Sequence, residues 1–214
     1  MTSAPPNEQQ GWSAPGANAQ RLSLDLAGAT RSEIRLDIAW GRVTLGAAPA
    51  GKLIEGTFDP PVTVQGGPDK VRLAIEAPWV NWLNWADWRL GLSTEIPIRL
   101  VVASAVSSLD LDLGDVKLAE LELKDAVGRA VVRLPKAAGM TKVWVEGAIA
   151  AVEFRVPEGV AAYIRTAGAI EGSSIDRTRF PDQGHGVHTS PAYQTAANRV
   201  DIDCRTAIGS LTVR

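Results

Sequence analysis

Ala105-Val106-Ser107-Ser108-Leu109-Asp110-Leu111-Asp112-Leu113 returns 21 residues later as Ala126-Val127-Gly128-Arg129-Ala130-Val131-Val132-Arg133-Leu134. The same spacing of aliphatic residues recurs from Ala148 to Val156 and from Ala169 to Asp176, at further steps of 22 and 21 residues. A fifth copy runs from Ala207 to the final Arg214, and an earlier one from Ala39 to Leu45 stands 66 residues before Ala105, close to three repeats. Three and five positions upstream of these small pivots lie Leu100 and Val102, Leu121 and Leu123, Val143 and Val145, Ile202 and Cys204, and Ile34 and Leu36. Period-two alternation on both sides of each pivot buries one face of a strand, and the pivot's small residues let the backbone turn. Each unit therefore reads as strand, tight turn, strand.

A unit of two strands cannot cover its own apolar face, so copies must stack and share a core. The fold class this predicts is all-β, a flattened β-solenoid of stacked two-strand repeats of about 21 residues. An antiparallel β-sandwich of the same strands is the alternative, since periodicity does not set strand direction. Parallel in-register stacking would bring equivalent residues about 4.8 Å apart. The outward positions suit that spacing: Arg99, Glu120 and Lys142 alternate in sign at one height, and Lys124 precedes Glu146 at another.

The remaining composition narrows the class of protein. Hydrophobic residues make up 45% and charged residues 21% of the 214, enough apolar surface for a substantial core, so global disorder is not expected. Twenty-two basic and 24 acidic residues leave a formal charge of −2, which supplies no reason to expect nucleic acid as partner. Cys204 is the only cysteine, so no intrachain disulfide can form, and its inward register makes it a core residue. No run approaches the roughly 18 to 20 apolar residues of a membrane helix, and the first residues lack a secretory pattern. The chain as it stands is expected to be cytoplasmic, with no membrane insertion of its own. Residues 1–20, rich in Pro, Ala, Gln, Asn and Gly, read as a disordered N-terminal tail; residues 21–214 read as a single β-repeat domain with a loop insertion at about 177–197.

Further motifs carry a family likeness. Leu53-Ile54-Glu55-Gly56-Thr57-Phe58, the stretch Asn84-Trp85-Ala86-Asp87-Trp88, the run Ser190-Pro191-Ala192-Tyr193 followed by Ala196 to Ile202, and the terminal Ile208-Gly209-Ser210-Leu211-Thr212-Val213 occur in a fixed order along the chain. Together they resemble the toast-rack β domain of bacterial cell-wall-active antibiotic response (LiaF-like) proteins, over roughly Arg21 to Arg214. The resemblance implies a non-catalytic domain that takes part in envelope-stress signalling through protein contacts. It implies no catalytic residues.

Candidate contact residues are few. Trp79, Trp82, Trp85 and Trp88 recur every third residue, which suits one side of a helical turn or an irregular loop. They fit an aromatic plug closing one end of the stack, a docking surface for protein or glycan, since flat rings give large contact area at low entropic cost, or anchoring at a membrane interface. Trp144 lies on an outward register beside Glu122 and Arg165, a candidate exposed contact. His185 and His188 lie in the insertion with Asp182 as their one nearby carboxylate, a weak metal pattern and more simply a solvated loop.

No phosphate-loop or nucleophile-elbow sequence occurs, so neither a cofactor nor a hydrolase triad is expected. Glycan cleavage would need Asp110 and Asp112 to converge with Glu153 or Asp176, whereas their alternation with Leu109 and Leu111 marks a solvated strand face. The functional expectation is a protein-interaction or scaffolding domain with a protein partner. A carbohydrate-binding module or glycan-active solenoid, and a self-assembling structural element, are the alternatives.

Overall fold

The computed structural model describes residues 19–75, 85–168, 170–205 and 207–214, with the backbone alone at 125–127. In chain order the strands are β1 (Gln20–Asp25), β2 (Ser32–Ala47), β3 (Lys52–Asp59), β4 (Val62–Gly67), β5 (Lys70–Ile75), β6 (Ala86–Leu92), β7 (Ile98–Asp112), β8 (Leu118–Arg133), β9 (Met140–Arg155), β10 (Ala161–Thr166), β11 (Ile170–Ile175), β12 (Asp182–Gly184), β13 (Val187–Thr189), β14 (Arg199–Cys204) and β15 (Ala207–Val213). No helix occurs among the described residues, as an all-β chain requires. The stretch read as a tail lies outside them up to residue 18. β1 begins at Gln20, one residue inside that stretch, where the Gln20 side chain accepts a 2.7 Å hydrogen bond from the Val62 N–H.

The repeat register is the pairing register. β2, β7, β8 and β9 lie side by side and parallel, with Ile34 against Leu100, Leu100 against Leu121 and Leu121 against Val143. Val43, Leu109, Ala130 and Val152 make the matching row beyond the pivots. Both rows are buried in one apolar cluster, together with Phe58, Trp88, Phe154 and Phe180. Leu111, Val132 and Phe154 are fully buried, while Ile175 is partly covered because β11 ends its row.

The pivots are not tight turns. Each long strand runs unbroken through its pivot, and the ladder continues from Ser104 against Asp125 to Val106 against Val127. What changes is the phase of burial. In β7 the inward residues are Ile98, Leu100 and Val102, then Ser107, Leu109 and Leu111. A flat strand could not bury both sets on one side, since its side chains alternate strictly. The sheet therefore folds round a corner, and its two walls face a common core. Exposed Ala39, Ala105, Ala148 and Ala207 mark that corner, where Gly147 adopts a left-handed backbone (φ 115°) that a side chain would disfavour.

The copies do not stack in sequence order. The first wall reads β5-β2-β7-β8-β9-β14-β10, and the second β6-β2-β7-β8-β9-β15-β11. The last copy, β14 with β15, thus lies between the Ala148 copy and the Ala169 copy. β2 and β7, 66 residues apart at their pivots, are direct neighbours, so the chain between them supplies strands on the far side of β2. Antiparallel pairing is confined to the ends: β1 and β3 continue from β6, β4 covers β5, and β13 with β12 covers β10.

Candidate interaction face

The outward side of the first wall is a charge ladder. At one height, neighbouring strands present Lys70, Glu33, Arg99, Glu120, Lys142 and Asp201, alternating in sign across six strands. Arg99 binds Glu33 at 3.0 Å, Glu122 at 3.2 Å and Glu120 at 3.5 Å, and Lys124 bridges Glu122 at 2.8 Å and Glu146 at 3.7 Å. The pairing expected between neighbouring copies is present for Arg99 with Glu120 and for Lys124 with Glu146. Lys70, hydrogen-bonded at 3.0 Å, holds the Glu33 carboxyl below the usual carboxylate range.

The ladder changes character over β9, β14 and β10. Here Trp144 lies against Asp203, and Asp203 against Arg165; one step along, Lys142 lies against Asp201, and Asp201 against Tyr163. The sequence reading set Trp144 directly beside Arg165. β14 intervenes between them, because the crossover of the last copy reorders the strands. Arg205 grips Asp203 with two hydrogen bonds of 3.0 and 2.7 Å, and its guanidinium lies 5.2 Å from the centre of the Trp144 ring. Arg165 adds an ion pair to Asp203 at 3.6 Å and lies 5.6 Å from the centre of the Tyr163 ring.

The insertion folds back over this area. Tyr193 donates its hydroxyl to Asp201 and packs its ring 5.7 Å from that of Tyr163, with the Arg199 guanidinium 5.9 Å from the centre of the Tyr193 ring. Burial, followed by the bond to Asp201, pushes the Tyr193 phenol well above its ordinary value. Lys142, Trp144, Tyr163, Arg165, Asp201, Asp203 and Arg205 line a cavity of about 180 Å³ open to solvent.

The other sequence candidates separate. Trp79 and Trp82 lie outside the described residues. Trp85 is 56% exposed, whereas Trp88 is fully buried, its ring edge-to-face with Phe58 at 5.5 Å. Trp88 therefore belongs to the core and presents no surface. Strand β6 explains the contrast, since its residues alternate in and out and the helical spacing does not apply. His185 is exposed at a turn, but His188 is buried in β13 with Nδ1 3.3 Å from the Phe180 carbonyl. His188 is thus a structural residue, which corrects its reading as part of a solvated loop. No group of three metal-ligating side chains occurs among the described residues.

Asp110 sits two strands from Glu153 on the outer side of the second wall, with Val131 between them. The Glu153 carboxyl is held down first by its bond from Arg155 at 2.8 Å, and Arg214 binds it as well. A proton donor to a glycosidic oxygen needs the opposite shift.

Among solved structures, the fold resembles a candidate cell adhesion protein from Clostridium sporogenes ATCC 15579, with a TM-score of 0.78 at 16% identity, over 91% of this chain and 97% of that one. A candidate adhesin from Bacteroides fragilis NCTC 9343 aligns with a TM-score of 0.39 at 9% identity, over 94% of this chain and 99% of that one. No curated protein matches the chain in sequence. The family model described as the N-terminal domain of toast_rack (DUF2154) matches residues 13–155, a span that includes β1 to β9, and the chain belongs to that family.

Proposed function

We propose that this domain is a non-catalytic protein-interaction module in bacterial cell-envelope stress signalling, and that it meets its partner through the β9-β14-β10 face. The observation that carries the reading is the composition of that face: Trp144, Tyr163 and Tyr193 beside Arg165, Arg199 and Arg205 on adjoining segments. Trp, Tyr and Arg dominate binding energy where proteins meet, because each offers large, stiff contact area with a polar handle. In this reading the parallel body, a flattened solenoid of two-strand rungs, is the stiff frame that holds the face in shape. Family membership and the cell-adhesion description of the structurally similar Clostridium sporogenes protein support it.

A photo-crosslinking amino acid placed at position 163 in the native host tests the reading. A discrete covalent adduct with one protein is expected, and the absence of any protein adduct would overturn it. Self-assembly is favoured by a different feature, strand β11, which among the described residues pairs on one side only and exposes four of its six residues. Sedimentation over a concentration series distinguishes the two, since only self-assembly gives a size that rises with concentration.

A further inference from the structure

The hydrogen-bonding capacity of the Trp144 cavity is unbalanced, and the imbalance points to the chemistry of its occupant. Both carboxylates in its lining are already engaged: Asp203 by Arg205 and Arg165, and Asp201 by the Tyr193 hydroxyl. The cations are not saturated. A guanidinium carries five N–H donors, of which Arg205 directs two to Asp203 and Arg165 one to the Tyr163 hydroxyl, its 3.6 Å contact with Asp203 being an ion pair. Lys142, exposed on β9, forms no ion pair among the described residues. Among the lining residues three cations face two occupied anions, and the carboxylates at the margin, Glu120 beside Lys142 and Glu146 near Arg205, are themselves bound by Arg99 and Lys124, so the lining holds surplus donors and a net positive charge beside Trp144 and Tyr163.

Resting on the interaction reading above, we propose that this cavity receives an aspartate or glutamate side chain from an acidic segment of the partner protein. The carboxylate accepts from Lys142 and from the free N–H groups of Arg165 and Arg205, and its short apolar stem lies between Trp144 and Tyr163. Charge-assisted bonds of this kind are the stronger class. The volume suits a single side chain, since sites for whole small molecules run from about 300 Å³ upward. The partner lies across the face and does not add a strand, because β13 already occupies the edge of β10.

The test is an NMR titration of the labelled full chain with a capped pentapeptide carrying two glutamates around a leucine. Its glutamine counterpart, glucuronate and inorganic phosphate serve as parallel arms. The glutamate peptide is expected to shift the amides of Lys142, Trp144, Tyr163, Asp201 and Asp203 and the Trp144 indole, and Lys142→Gln to weaken that response about tenfold. The proposal is overturned by an unresponsive cavity, by an equal response to the glutamine peptide, or by preference for glucuronate or phosphate. A protein adduct at position 163 with an unresponsive cavity would sink this inference and leave the module reading standing. Peptide binding without any adduct would overturn the module reading and the assignment of the carboxylate to a partner protein, and leave only the cavity's preference for a carboxylate standing.

Discussion

At the scale of single residues, backbone proximity decides more than side-chain chemistry. Gly41 lies at the corner of β2, where an added Cβ would stand 2.5 Å from the Ala86 carbonyl oxygen and 2.6 Å from the Ala86 Cβ. Both obstacles belong to a paired strand and cannot swing aside. Gly41→Ala is expected to cost about 1 to 3 kcal/mol, measured by urea denaturation, and an unchanged midpoint would show that the corner yields. Cys204 illustrates burial acting on a titratable group: desolvation pushes its thiol up to about 12. Because the folded value is raised, the neutral thiol contributes fully below the unfolded value of about 8.5, and this contribution is lost as pH rises toward 12. Stability should therefore fall through that window by up to about 1.4 kcal/mol per pH unit from this group, and Cys204→Ala should flatten the decline. Equally steep alkaline limbs in the two proteins would contradict that.

At the scale of strands, the two sides of each wall contribute unequally. Leu121 in β8 is fully buried in the common core, and Leu121→Ala is expected to cost about 2 to 5 kcal/mol. Lys124, three residues on, faces water and bridges Glu122 and Glu146, so Lys124→Ala should cost no more than about 1 kcal/mol, shrinking further in high salt. Thermal melts of both variants at low and high salt check the pair; a Lys124 effect as large as that of Leu121 would mean that the ladder, and not the core, holds the strands together. Strand periods of this kind are legible in the sequence because burial repeats every second residue. The corner was not legible: small residues announce a bend, but a tight turn and a continuous strand that inverts its burial phase share the same local pattern. Trp88 shows a similar limit, since its spacing from Trp85 suits a helix until pairing with Val43 and Phe58 makes it a strand residue.

At the scale of the whole molecule, the crossover has mechanical consequences. β14 and β15 separate β10 and β11 from β9, so among the described strand pairings the penultimate copy meets the body only through the last one. Removing residues 199–214 is expected to release β10 and β11 as well, leaving 161–175 open to protease while 98–155 stays protected. Limited proteolysis with mass mapping checks this, and protection of 161–175 in the truncated chain would refute it. The same crossover assembles the candidate face. Trp144 was visible from its outward register, whereas Asp203 became its neighbour, and Tyr163 joined it in lining one cavity, only when residues near 144, 163 and 203 met.

The sequence by itself determined that the chain is all-β, which residues face inward, the heights at which they match, and the family likeness that the family match bears out. These follow from local periodicity, which each segment carries within itself. Only the tertiary structure decided the order of the copies, because equivalent strands present near-identical edges, and which edge meets which depends on how the intervening chain crosses. The interaction face lies across such edges, so its chemistry exists in the fold and in no single stretch of the chain.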